Sequence, residues 1–336
     1  MIRRGNPAIV LAPMDGVTDW VMRRLLTRLM PFDYCVTEFI RISGVVPPEH
    51  VFLRDAPELN RGSVTESGVP VGVQLLGGDP ERLALSAQRV ARLGAPVIDL
   101  NFGCPAPTVN RHDGGATLLR YPDRIEEIVR AVRQAVPAHI PVSAKLRLGW
   151  DDPRAIFLNA ERAERGGASW ITIHGRTKVQ GYTPPAYWEP IGEIRKLLSI
   201  PVIANGEIWS VDDLLRCIDQ TGCEHFMLGR GALSRLDVVA GCSRALGATR
   251  GERMLHGMSE PLSWSFVLGE LVTLSREAGE SERRTLARIK QWINYAHRRG
   301  DAPWFSSVKR LIQVDEFLSL VAAQSVGPDA LCTLAA

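Results

Sequence analysis

Cys104 stands between Gly103 and Pro105 in the stretch NFGCPAPTVN (101–110), directly behind the apolar run APVIDL. A thiol with an ordinary pKa of about 8.5 is still protonated near neutral pH, so it can hand over a proton as a general acid. Its neighbours aim it. Gly103 tolerates positive φ, and Pro105 drives Cys104 out of the helical region towards extended backbone. Other polar groups recur behind apolar runs: Pro13-Met14-Asp15, Glu38, Gln74, Asn101, Lys145 with Arg147, His174 with Arg176, Asn205-Gly206-Glu207 and Gly229-Arg230-Gly231. The last two suit a phosphate, because their glycines let backbone N–H groups approach an anion while Arg230 supplies a fork of donors. Singly, each has a structural explanation: Gln74 could cap a helix, His174 could be a satisfied core histidine, and Lys145 could pair with an acid. What joins them is a shared position just past an apolar run.

Those runs are the elements that must position the polar groups. Apolar, β-branched segments at 8–13, 34–39, 71–76, 95–101, 141–148, 169–175, 201–206 and 224–229 predict eight strands. Helical spacing fills 18–30, 80–93, 122–136, 153–165, 187–198 and 210–220, several opened by Asp or Pro and closed by Gly. The gap between the second and third strands is the least regular. Eight alternating units over about 245 residues predict an α/β fold of the (β/α)8 TIM-barrel type rather than a doubly wound sheet. Such barrels build their chemistry on loops leaving the C-terminal ends of the strands, where every polar group named above falls, and their usual phosphate site follows strands seven and eight.

ALGATRGERMLHGMSEP (245–261) is glycine-rich and without period, and reads as a linker. Beyond it the strand signal ends. PLSWSFVLGELVTLSREAG, SERRTLARIKQWINYAHRRG and PWFSSVKRLIQVDEFLSLVAA space their apolar residues by three to four, predicting a small all-α domain. The expected division is a barrel over 1–245 and a helical domain over 258–325. From Arg283 to Arg310, eight Lys or Arg stand against Asp301 alone, a balance of +7 that leaves −4 for the rest of a chain whose net charge is +3. A basic segment on a mildly acidic body suggests a polyanionic partner. On a helix over about 282–299, Arg284, Arg288, Tyr295 and Arg299 recur at helical spacing, with Lys290 near the stripe and Trp292 interleaved.

Hydrophobic residues at 45% and charged residues at 23% fit a soluble globular chain. The apolar run near the start is about seven residues long and stops at Asp15, short for a signal peptide, and no run approaches the roughly 18 residues of a membrane span. Six scattered cysteines indicate neither a disulfide framework nor a zinc site, and they fit a reducing, cytoplasmic setting. Cys35, Cys217, Cys223, Cys242 and Cys332 read as small buried hydrophobes, which leaves Cys104 apart. No metal is expected, and the chain is expected to be a monomer.

The stretches APMDGVTD, TEF, VQLLG, DLNFGCPAPTVNRHDGGATLL, AKLRLGW, IHGRTKVQGY, PVIANGEIW and FMLGRGAL resemble the flavin-dependent tRNA-dihydrouridine synthases across the whole barrel. In the helical segment, ARIKQWINY is similar to the bacterial C-type branch of that family, the tRNA-dihydrouridine(16) synthases. The resemblance implies FMN in the barrel mouth, NADPH as reductant and a uridine of the tRNA D-loop as substrate. It implies that Pro13 and Met14 lie against the flavin ring, that Gln74 and Lys145 contact its pyrimidine side, and that His174, Asn205, Gly206, Glu207, Gly229 and Arg230 hold its ribityl and phosphate groups. Cys104 matches the family's catalytic acid. Arg41, Asn101, Tyr182, Arg288, Lys290, Tyr295 and Lys309 match positions expected to touch tRNA, so the RNA would bridge both domains. One departure stands out: the family often has a lysine just after the Cys-Pro, where this chain has Ala106 and Pro107.

The implied chemistry accounts for these residue types. Reducing the C5=C6 bond of uracil sends hydride to C6 and a proton to C5. A flavin hydroquinone supplies the hydride, a lysine near its N1–C2 edge stabilises the anionic ring, and a protonated thiol on the other side of the base supplies the proton. The base must first leave the RNA stack. Rival readings are an FMN barrel of dihydroorotate-dehydrogenase type, an aldolase-like barrel using Lys145 as a Schiff base, and a tRNA-binding protein without turnover. The basic helical segment argues against a free base as substrate, and the completeness of the strand-end motifs argues against a binding module alone.

Overall fold

The computed structural model describes residues 2–111, 113–247 and 262–325. Nine short strands form one sheet: β1 (Ala8–Leu11), β2 (Tyr34–Val36), β3 (Ile40–Arg41), β4 (Val71–Leu76), β5 (Ile98–Asn101), β6 (Val142–Arg147), β7 (Trp170–His174), β8 (Val202–Asn205) and β9 (His225–Leu228). All pairings are parallel, and β1 pairs with both β2 and β9, which closes the ring. Both β2 and β3 pair with β4, so they are two pieces of one stave and the barrel has the expected eight.

The second predicted strand, 34–39, is therefore broken, and a piece at 40–41 is added. The cause is Thr37. Its amide still donates to the Gly72 carbonyl at 2.9 Å, but its hydroxyl oxygen takes the Gln74 amide at 3.0 Å in place of a ladder carbonyl. A side chain competing for a backbone partner interrupts the ladder. Register resumes at Ile40 opposite Leu75.

Helices cover the barrel where the apolar spacing predicts them: Trp20–Leu29, Pro80–Arg92, Pro122–Ala135, Ala155–Arg165, Glu189–Leu197 and Val211–Thr221. Asp19, Asp79 and Ser210 cap three of them by accepting from Met22, Arg82 and Asp213 amides. The irregular gap before β4 holds the helix Glu49–Asp55 and the 3-10 turn Pro57–Arg61. It is pinned to the first helix by Arg23, fully buried, whose guanidinium donates twice to Glu58 at 2.8 Å.

Side chains alternate along β1: Ile9 and Leu11 join the large outer core, while Ala8, Val10 and Ala12 join a second cluster with Tyr34, Val36, Trp170, Ile203 and Met227. This alternation is the period of a strand with its second face turned into a barrel lumen. The lumen is filled tightly enough that a Cβ on Gly72 would come within 1.8 Å of the Tyr34 hydroxyl.

The C-terminal part consists of helices Trp264–Glu277, Glu282–His297, Phe305–Val308 and Val314–Ser325. Residues 248–261, most of the expected linker and the start of the 258–325 domain, lie outside the described residues. Leu268, Leu271, Ile289, Trp292 and Phe317 belong to the same apolar core as the barrel. Trp292 donates through Nε1 to the Leu233 carbonyl at 2.9 Å and packs edge to face on Trp264. Among the described residues no helix is long and apolar enough to cross a membrane.

Candidate active site at the barrel mouth

A cavity of about 590 Å³ opens at the C-terminal ends of the strands. Nine of the ten residues expected at the cofactor line it: Pro13, Met14, Lys145, His174, Asn205, Gly206, Glu207, Gly229 and Arg230. Cys104, Asn101, Tyr182 and Tyr295 line it as well, the last from the helix Glu282–His297. Gln74 does not. It is fully buried, with its amide hydrogen-bonded to Asp99 and Asn101.

The Cys104 loop is held by Asn101. The Asn101 Oδ1 accepts from the amides of Gly103 and Cys104, both at 2.9 Å, and its Nδ2 donates to Gln74 Oε1 at 2.7 Å. Both polar atoms of Asn101 are thus engaged within the protein, which favours loop ordering over the expected tRNA contact. Arg147, on β6, donates to the Gly103, Thr177 and Gly181 carbonyls at 2.8–3.0 Å, tying the Cys104 loop to the loop that carries Tyr182. The Ala116 amide donates to the Cys104 carbonyl at 3.0 Å, and Gly115 must be glycine: its φ is +60°, and a Cβ there would meet that carbonyl at 2.9 Å. Burial pushes the Cys104 thiol above its ordinary pKa, so the group keeps its proton through neutral pH.

Lys145 is the counterpart. Burial, with Arg147 adding to it, lowers its pKa from 10.5 to about 8, and its ammonium donates to Asn205 Oδ1 at 3.1 Å. Asn205 is oriented in turn by donating to the Met227 carbonyl at 2.7 Å. Burial and the surrounding cations push His174 well below its ordinary value, so the imidazole is neutral, and its Nδ1 is buried without a hydrogen-bond partner. Glu38, behind the Met14 loop, accepts from the Val17 amide at 2.9 Å; burial and then Asp19 raise its carboxyl to about 7.

Three guanidiniums converge on the carboxylate of Glu207, which lines the cavity together with Arg230. Arg176 reaches Glu207 at 2.5 Å, Arg230 at 3.3 Å and Arg299 at 3.9 Å. Arg299 comes from beyond the barrel and lies 3.6 Å above the Trp209 ring centre. The turn is made by Gly206 at φ +114° and Glu207 at φ +56°, a left-handed conformation that is uncommon outside glycine. Three positive charges against one negative leave room for an anion of about two charges, the size of a phosphate monoester.

The residues expected at tRNA divide. Tyr182 is exposed above the cavity beside Arg147 and Arg230, and Lys309 is exposed. Arg41 lies at the rim, donating to the Thr108 carbonyl at 3.4 Å. Lys290 is partly buried, with its ammonium on the Leu311 carbonyl at 2.5 Å. Arg288 is only 8% exposed, and its guanidinium is held between Asp19 of the barrel and Glu280. Arg284 pairs with the same two acids. The predicted stripe is therefore a seam between barrel and helix, because two carboxylates that only the fold brings near compete for it. In the described part of this segment the exposed cations are Arg283, Arg284, Arg298, Arg299, Lys309 and Arg310, of which Arg284 and Arg299 are also ion-paired.

Sequence reasoning missed Trp209 at the cavity and the pairing of Arg299, named there only on the basic stripe, with Glu207 and the Trp209 ring. It placed Arg147 at a strand end without a role. Of the cysteines read as core, Cys35, Cys217, Cys223 and Cys242 are buried, and Cys332 lies outside the described residues.

The chain is similar to known proteins over most of its length. The chain is 48% identical over 292 residues to the tRNA-dihydrouridine(16) synthase of Shewanella oneidensis, covering 86% of this chain and 89% of that protein. It is 47% identical to the enzyme of the same name from Pseudomonas putida, over 85% of this chain and 86% of that one. The enzyme of that name from Vibrio vulnificus matches at 42% over 92% and 95%. Among solved structures, histamine dehydrogenase from Rhizobium sp. 4-9 superposes with a TM-score of 0.56 at 14% identity over 81% of this chain, which spans 50% of that longer one; the likeness is one of fold. The family model described as dihydrouridine synthase matches residues 10–325, and the chain belongs to that family.

Proposed function

We propose that the protein reduces the C5=C6 bond of a uridine in the tRNA D-loop, at position 16, using FMN held at the barrel mouth and NADPH as reductant. The position is supported by the shared name of the relatives at 42–48% identity. The residues present fit FMN. The excess of two positive charges at Arg176, Arg230, Arg299 and Glu207 suits its phosphate, and the orphaned His174 Nδ1 offers a partner for a ribityl hydroxyl. Pro13 and Met14 offer an apolar surface for the ring, Lys145 an ammonium beside it, and Gln74 a support below.

When bound, a reduced flavin supplies hydride. The chain's own part is to hold the base and the proton. Cys104 keeps a proton on Sγ, with its backbone fixed by Asn101 and Arg147, and gives it to C5 of the uracil. Tyr182 and Tyr295, which both line the cavity, are suited to stack on a base taken out of the RNA. Arg41 and Lys309 are proposed to meet RNA phosphates, with Arg283, Arg298 and Arg310 adding to the exposed basic surface of the helical domain. A tRNA substrate makes the cytoplasm the expected location.

The observation that carries this reading is the half-buried Cys104, which lines the same cavity as Lys145, Glu207 and Arg230 and whose thiol is held above its ordinary pKa by burial. Cys104→Ala tests it. The variant is expected to keep FMN and its reduction by NADPH while losing roughly 10²–10⁴-fold in the rate of uridine reduction, measured as dihydrouridine formed in tRNA. A variant that reduces tRNA at the wild-type rate would falsify the assignment of Cys104 as the acid.

A further inference from the structure

Beneath the Cys104 loop lies a chain of buried polar side chains. Register sets it up: Gln74 on β4 is opposite Asp99 on β5, and Asp99 is opposite Ser143 on β6, so the three stand side by side in one layer of the barrel. Asn101, two residues beyond Asp99, shares its face of the strand and stands in the layer above. All four are buried. Ser143 Oγ donates to Asp99 Oδ1 at 2.5 Å and Gln74 Nε2 to Asp99 Oδ2 at 2.6 Å; Asn101 Nδ2 donates to Gln74 Oε1 at 2.7 Å. Asn101 Oδ1 then accepts the Gly103 and Cys104 amides.

The chain has a direction. Asn and Gln side-chain amides are nearly symmetrical in shape, so which end is N and which is O follows from their partners. At the loop end the partners are two amides, donors only, which require oxygen from Asn101. At the other end the partner is a carboxylate, which requires nitrogen from Gln74. The two requirements agree, and every amide atom in the middle is satisfied. We infer that Asp99 is a positioning residue for Cys104: through Gln74 and Asn101 its carboxylate sets the sense of the amide chain that holds the Cys104 loop.

A carboxylate at position 101 could still accept the two loop amides, but its other oxygen would face Gln74. With Asp99 still present, Gln74 lies between two acceptors and can satisfy only one. Changing Asp99 to Asn as well removes the conflict by reversing the chain: position 101 accepts from Gln74 Nε2, Gln74 Oε1 accepts from the new amide at position 99, and that amide's oxygen accepts from Ser143. Asp99→Asn alone keeps the original sense, with Ser143 turning to accept.

The test is hydrogen exchange at the Gly103 and Cys104 amides, read by mass spectrometry on the full chain with melting temperatures alongside. Its outcome is independent of turnover. Its relevance to catalysis rests on the proposed role of Cys104, which the alanine variant tests separately. Asn101→Asp is expected to lose roughly tenfold in protection, the scale of one unsatisfied buried polar group. Asn101→Asp with Asp99→Asn should return to within about threefold of wild type, and Asp99→Asn alone should stay there. Asn101→Asp with Asp99→Leu separates direction from charge, since it removes the same charge without offering a donor, and it should not be restored. The inference fails if Asn101→Asp keeps full protection, or if Leu at position 99 restores it as well as Asn does. Should Asn101→Asp not fold, recovery of folding by Asp99→Asn but not by Asp99→Leu is the same expected result; failure of both double variants to fold overturns it.

Discussion

The loop after β5 and the helix Glu282–His297 both carry polar residues that the sequence marks for function, yet the structure treats them differently. In the loop, Cys104 faces the cavity and its supports lie on the strands immediately beneath it. On the helix, Arg288 and Arg284 both pair with Asp19 and Glu280; Arg288 is withdrawn from the surface, while Arg284 stays exposed. A polar residue at the end of a parallel strand has one place to go, because the strand direction sets it. A long cation on a helix can swing to whichever carboxylate the fold brings within reach, while its stem stays buried.

Arg288→Ala probes the contrast most strongly. Removing this cation leaves Asp19 and Glu280 with the more exposed Arg284 as their remaining partner, and the expected cost is about 2 kcal/mol of stability in urea unfolding. The salt dependence of tRNA binding by the folded variant should hardly change. A lowered salt slope with unchanged stability would return Arg288 to the RNA surface and erase the distinction.

On the barrel side, Lys145 ties activity to pH. Its pKa of about 8 means that the ammonium is present below that pH and lost above it, so uridine reduction should fall about tenfold per pH unit beyond about 8. In the unfolded chain the same lysine holds its proton to about pH 10.4, so between these limits the unfolded state binds more protons. This group's contribution to stability therefore rises with pH while activity falls. A pH–rate profile and an unfolding series run together would show the opposed trends, and a rate that holds level to pH 10 would remove Lys145 from the chemistry.

The smallest expected effect belongs to the open part of the helical segment. Lys309→Ala should leave stability unchanged and lower the slope of log affinity against log salt by roughly 0.7–0.9, one phosphate contact. An unaltered slope would mean that the RNA does not reach this face.

Much of the fold can be read from the chain because its signals are local. Apolar runs alternating with helical periods, capped by Asp19, Asp79 and Ser210, yield the barrel, and strand ends place Cys104, Lys145, His174 and Arg230 around one mouth. The thiol between Gly103 and Pro105 is legible for the same reason: its backbone is set by its immediate neighbours. Four features depend on partners distant in sequence. Thr37 breaks its strand because the Gln74 amide lies opposite; Gln74 sinks beneath the cavity because Asp99 and Asn101 hold both its ends. Arg288 turns inward to Asp19, 269 residues away, and Arg299 crosses from the helical segment to Glu207 just after β8. Strand period and turn chemistry act over a few residues and can be counted. The direction of a buried amide or a long cation is decided by charges and hydrogen-bonding groups that only the closed barrel and its docked helices bring together.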